Sequence, residues 1–168
     1  MDAVEALTRT VNASRQWFQG TIGGLTPEQV NFVPPGSAHP IGEIVAHVLN
    51  SEDGIVNGMI LGQPPIWERD GWGAKLGLPN VTRQDEAVAR AYRCELQSLE
   101  PYMHAVHACV DDYLEALTAT DLDREVDGGP PGKMTVADAL GILIGNTLVH
   151  TGEIAALKGI QGGRGYPF

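Results

Sequence analysis

Asn146, His150 and Glu153 recur at steps of four and three in the run Gly145-Asn146-Thr147-Leu148-Val149-His150-Thr151-Gly152-Glu153. That spacing gathers side chains on one side of an α-helix. At 100° per residue, Leu143, Asn146, His150, Ile154 and Leu157 share a face, with Glu153 at its margin. Leu143, Ile154 and Leu157 belong in a core, so Asn146 and His150 are expected to face inward with them. Side chains four apart lie about 6 Å apart along the axis. They could hold one ion from a single helix, as paired histidines do in helical zinc motifs. The other reading is a core histidine satisfied by a hydrogen bond. The residues alone leave both open.

A second candidate group lies in Pro40-Ile41-Gly42-Glu43-Ile44-Val45-Ala46-His47. His47 falls at the edge of an apolar helical face, with Glu43 one turn earlier. Asn50, Ser51, Gly54 and Gly58 continue that side and make it small and polar, which leaves room for a ligand or another helix. Glu52 falls at the angle of Ile41 and Val45. A carboxylate there needs a partner, and Arg9 or Arg15 of the first helix is the expected structural pair. His104 points away from its apolar stripe, towards solvent. His107 flanks Met103, Val110 and Leu114 and reads as a packing residue, and His39 sits at an N-cap position. The glycine-rich tail after Gly159 follows a helix and not a strand, so it is no dinucleotide fingerprint, and there is no Gly-x-Ser-x-Gly elbow.

These residues need helices to position them, and the pattern supplies helices. Residues 2–19 carry Val4, Leu7, Val11, Ser14 and Phe18 at steps of three and four. Thr26-Pro27-Glu28-Gln29 is a capping-box signature for a short turn. A second long helix is predicted over residues 40–61, with proline at its first position. Residues 62–80 form a 19-residue crossover containing Trp67 and Trp72, longer than the ~2–8 residues of most bundle loops. Thr82 is read as a cap, with a short helix to about residue 97. Pro101 interrupts the pattern, so a third main helix is expected over about 99–117. Thr135-Val136-Ala137-Asp138 caps a fourth helix, expected to end at Gly159, with Tyr166, Pro167 and Phe168 docking on the bundle. No alternating strand pattern exceeds a few residues, and no repeat is present. The expected fold is an all-α four-helix bundle with long crossover connections, as one domain over 1–168.

Composition limits the partners. The chain has 168 residues, 21 acidic against 11 basic, for a formal charge of −10. Phosphate backbones and anionic lipid would be repelled, so neither nucleic acid nor membrane is expected. The start Met-Asp-Ala-Val-Glu lacks the marks of a signal peptide. Cys94 and Cys109 read as reduced thiols of a cytoplasmic protein.

Taken together, these segments resemble a known family. Residues 38–53, with His47 and Glu52 in a His-x4-Glu pattern, look like the second helix of DinB/YfiT-like proteins. The run His150-Thr151-Gly152-Glu153-Ile154-Ala155-Ala156-Leu157-Lys158-Gly159 looks like the last helix of one DinB subgroup. Residues 102–126, with Asp121-Leu122-Asp123-Arg124, also fit. The resemblance implies a bundle, usually a homodimer, with a divalent metal held by one residue of helix two and two of helix four. Some such proteins use low-molecular-weight thiols; others are hydrolases or isomerases. Carried onto this chain, the ligands are His47, His150 and, where histidine is usual, Asn146. Glu43 and Glu153 are candidates to orient a ligand histidine. An amide oxygen is a weaker donor than imidazole for Zn²⁺ or Ni²⁺. Two function classes follow. One is a metal-dependent transferase or hydrolase for a small-molecule substrate, with a thiol cosubstrate as one option. The other is a non-catalytic bundle that binds a small molecule or a partner protein.

Overall fold

The computed structural model describes residues 1–80, 86–129 and 132–167. Four long helices carry the fold: α1 (Ala3–Ile22), α3 (Ile41–Asp53), α7 (Leu96–Ala116) and α9 (Val136–Ile160). Around them lie the short helices α2 (Pro27–Asn31), α4 (Ile66–Arg69), α5 (Trp72–Leu76), α6 (Glu86–Ala91) and α8 (Ala119–Leu122). Helix α9 packs against both α1 and α3, and α3 against α7. Val11, Phe18, Ile44, Leu49, Tyr102 and Leu140 are among the side chains that fill the space between them.

The starts of α2 and α9 follow the capping residues read from sequence. Asp2 accepts from the amide of Glu5 at 2.8 Å and opens α1. Thr26 and Gln29 close a reciprocal capping box on α2, as do Thr135 and Asp138 on α9. The ends differ more. Helix α1 runs past Gly20 to Ile22. Helix α9 runs past Gly159 to Ile160, and the left-handed residue that releases the chain is Gly162, at φ +78°. The amide of Gly163 then reaches back to the Lys158 carbonyl. Tyr166 meets Trp17 edge-on, which docks this part of the tail on α1 as expected; Phe168 falls outside the described residues.

Three elements depart from the pattern read in the sequence. Helix α3 begins at Ile41, with Pro40 as its cap, and from Gly54 to Ile60 it widens into a π-helix before ending at Leu61. Helix α7 starts at Leu96 and not at 99, which sets Pro101 deeper inside it. As the sixth residue of α7 it lies beyond the first turn, whose amides have no intrahelical acceptor, so it costs the helix one i→i−4 hydrogen bond. The turn-rich stretch after α8 is framed by a small antiparallel hairpin, β1 (Glu125–Asp127) with β2 (Lys133–Thr135), three residues each. The long crossover is not structureless, since α4 and α5 lie within it. The expected cap Thr82 falls outside the described residues.

By length and composition α9 would pass for a membrane span. In this fold its inner face is core and its flank is polar. Its outer face leaves Ile142, Leu148, Val149 and Ile160 exposed.

Candidate metal centre

Helix α9 places its polar residues slightly differently from the 100° projection. The buried stripe is Leu143, Thr147, Thr151 and Ile154. Threonine can occupy a core position here because each hydroxyl donates back to a carbonyl one turn earlier. Thr147 bonds Leu143 at 3.0 Å and Thr151 bonds Thr147 at 2.7 Å. Asn146 and His150 are therefore on the flank of the stripe, half-buried, facing α3.

There His150 meets His47. The two ring centres are 4.8 Å apart and the planes are inclined at 73°. His150 Nδ1 is engaged by Glu153 Oε2 at 2.9 Å, which leaves Nε2 as the ring's other nitrogen. The hydrogen bond to His150 holds the Glu153 carboxyl below its ordinary range, against the opposing effect of burial. His47 Nε2 lies 3.4 Å from Ser51 Oγ. Glu43, also read as an orienting carboxylate, is buried but engages His39, with Nδ1 to Oε2 at 3.0 Å. Burial raises its pKa, His39 pulls it down, and nearby Glu153 adds to the rise. So Glu153 stands on a candidate ligand and Glu43 stands on a different histidine.

Beside the pair opens a cavity of about 600 Å³. His47, Asn50 and Asn146 form its polar wall, and Ile55, Trp67 and Ile142 its apolar one. Glu68 is also at its edge, and no lysine or arginine is among the described lining residues. Trp67 is fixed by a residue that the sequence pattern does not single out. Asp53 is fully buried and accepts from the amides of Ile66 and Trp67 at 2.8 and 2.9 Å, from Tyr102 Oη at 2.8 Å, and from Asn57 Nδ2. A signal for it exists. Asp53 shares a helical face with Ala46, Leu49 and Val56, so a carboxylate stands where a core residue is due.

Among the described residues, no three His, Cys, Asp or Glu side chains come together as a metal-holding group. The candidate donors are two imidazoles from different helices in edge-on contact, with Asn146 on the cavity wall beside His47. Such a set fits a borderline divalent ion, held less tightly than by three imidazoles.

The helix arrangement and the histidine pair between α3 and α9 define an all-α bundle with a candidate metal centre. The family model of the DinB superfamily matches residues 10–154, and this chain belongs to that superfamily. No curated protein matches it. A crystal structure of a conserved protein from Enterococcus faecalis has the same fold, with a TM-score of 0.79 over 96% of this chain and 99% of that one, at 20% identity.

Proposed function

We propose that this protein is a divalent-metal-dependent enzyme of the thiol S-transferase or hydrolase type. His47, Asn146 and His150 hold the ion, and a small-molecule substrate occupies the cavity under Trp67. The observation that carries this reading is the pairing of two imidazoles from separate helices, one of them fixed at Nδ1 by a carboxylate. Carboxylate–histidine pairs of that kind orient metal ligands and raise their basicity. A bound divalent ion acidifies water or a thiol towards neutral pH, which makes a nucleophile available. This chain's residues do the rest. Glu153 holds the His150 ring, Asp53 holds Trp67 over the cavity, and Ile55 and Ile142 offer apolar surface to a substrate. An anionic thiol finds no side-chain cation among the described lining residues, which favours an uncharged thiol or hydrolysis. The exposed Ile142, Leu148 and Val149 on α9 support a homodimer through that face.

One observation favours the non-catalytic alternative, in which the bundle binds a small molecule without a tightly held metal: only two of the three proposed ligands are imidazoles. Calorimetric titration with Zn²⁺ or Ni²⁺ after chelation decides between the two. Wild type should bind, and its thermal midpoint should rise, because a ligand of the folded state alone stabilises it by mass action. His47→Ala and His150→Ala should each weaken binding by about 100-fold or more, roughly 2.7 kcal/mol. Equal affinity in all three proteins would sink the metal site.

A further inference from the structure

Asn50 lies three residues beyond His47 on α3, is 3% exposed, and lines the same cavity. Residues three apart share a helical face, so both side chains project to the same side of α3. Asn50 Nδ2 donates to the Ala46 carbonyl at 2.8 Å, which fixes the rotation of the amide. Its other end is unsatisfied: Oδ1 is buried and meets no hydrogen-bond donor among the described residues. A buried acceptor left in that state costs on the order of 1–3 kcal/mol, and buried polar groups of folded proteins are nearly always partnered.

Size bears on what could complete this acceptor. The oxygen is sealed against a sphere the size of water. A hydrogen-bond donor would need its heavy atom at about 2.7–3.2 Å. A zinc ion bonds oxygen at roughly 2.0–2.2 Å, so a bare cation can approach an oxygen too recessed for water. We infer that Asn50 Oδ1 is a further ligand of the divalent ion proposed above. Helix α3 then contributes His47 and Asn50, and α9 contributes Asn146 and His150. The bond to Ala46 holds the oxygen in place before the ion arrives, as outer partners do for other ligands. All four ligands are uncharged, so the set leaves the ion's charge unneutralised.

This inference rests on the metal reading, and the experiment separates the two. Chelated wild type, Asn50→Ala and Asn50→Asp are titrated with Zn²⁺ and with Ni²⁺, and each is melted with and without metal. Wild type should bind; Asn50→Ala should bind about tenfold more weakly. Asn50→Asp should bind more tightly and show a larger metal-induced rise in thermal midpoint, since the ion relieves a buried carboxylate. If wild type binds and both variants match its affinity, Asn50 is a structural residue and the inference fails while the metal site stands. Midpoints lowered in both variants with affinity unmoved overturn it in the same way. No binding by wild type overturns the metal site and the Asn50 assignment together.

Discussion

Helix α3 carries two buried polar clusters, and they are built on opposite principles. Around Glu52, three helices build a network of opposite charges, although Arg15 Nη2 and His107 Nε2 make no hydrogen bond there. Arg15 donates to Glu52 from Nε at 2.7 Å and to Asp111 from Nη1 at 2.5 Å. His107 Nε2 lies 3.6 Å from the second Glu52 oxygen, and its Nδ1 is 3.3 Å from Gln19 Nε2. Around His47, five residues earlier and so about 140° away on the helix, the cluster borders a cavity and contains an amide oxygen with no donor. The first cluster contains the opposite charges its members need. The second sets neutral donors and acceptors at a cavity whose described lining contains no lysine or arginine. Burial and an unpaired polar atom are common to both; what separates them is that the Glu52 cluster holds opposite charges, while the His47 cluster borders a cavity.

The hardest test of that contrast is Glu52→Ala. It leaves Arg15 buried with only the half-exposed Asp111 as a partner, and breaking a buried pair from one side costs about 3–5 kcal/mol. Urea unfolding should show a loss near the lower end of that range. Zn²⁺ affinity of the folded variant should be unchanged. A large change in affinity would mean that the two clusters are one coupled system.

A smaller effect comes from pH. Burial pushes the Glu52 carboxyl up, but nearby His107 and the charge of Arg15 outweigh it and leave the pKa lowered. With a folded pKa below the unfolded value of about 4.3, the folded state holds fewer protons than the unfolded state as the pH drops. Glu52 therefore contributes stability above that value and loses it as pH falls through its folded pKa. Unfolding of wild type and Glu52→Gln between pH 3 and 7 should differ most near neutrality and converge at the acid end. Glu43, with its pKa raised, works in the opposite sense, but both proteins retain it, so it largely cancels in the difference. A gap that stays constant with pH would mean the Glu52 charge contributes nothing to stability.

The two clusters are also unequally legible from sequence. The Glu52 pairing follows from one observation, a carboxylate at a core angle opposite an arginine-bearing helix, and Arg15 is the partner that answers it. Arg9 instead pairs with Glu5 on the surface. His47 and His150 are readable for the same reason, as polar residues at the edge of apolar stripes. The projection sets Asn146 too deep, because it treats threonine as polar while Thr147 and Thr151 satisfy their hydroxyls within the helix and occupy the core. Asp53 escapes because two of its donors are backbone amides of the crossover, at residues 66 and 67, and no side-chain pattern announces them. The π-helical widening after Asp53 has no residue signature of the kind that capping boxes provide.

The last test is Asn146→His, and it asks whether the open cluster has room for a better ligand. Asn146 is half-buried at the cavity wall, with space beside it for a larger ring. The closed cluster offers no such freedom, since every charge there already has a partner. Imidazole is the stronger donor for Zn²⁺ and Ni²⁺, so the substitution should tighten binding by about tenfold, roughly 1.4 kcal/mol. Without metal, the thermal midpoint should barely move, because a surface-flank substitution usually stays within about 0.5 kcal/mol. Titration and melting of chelated wild type and variant check both halves. A tighter site at unchanged apo stability is the result expected of a cavity-lining ligand position. If the variant loses stability and gains no affinity, Asn146 is a packing residue of α9, and the open cluster is then reduced to its α3 ligands and His150.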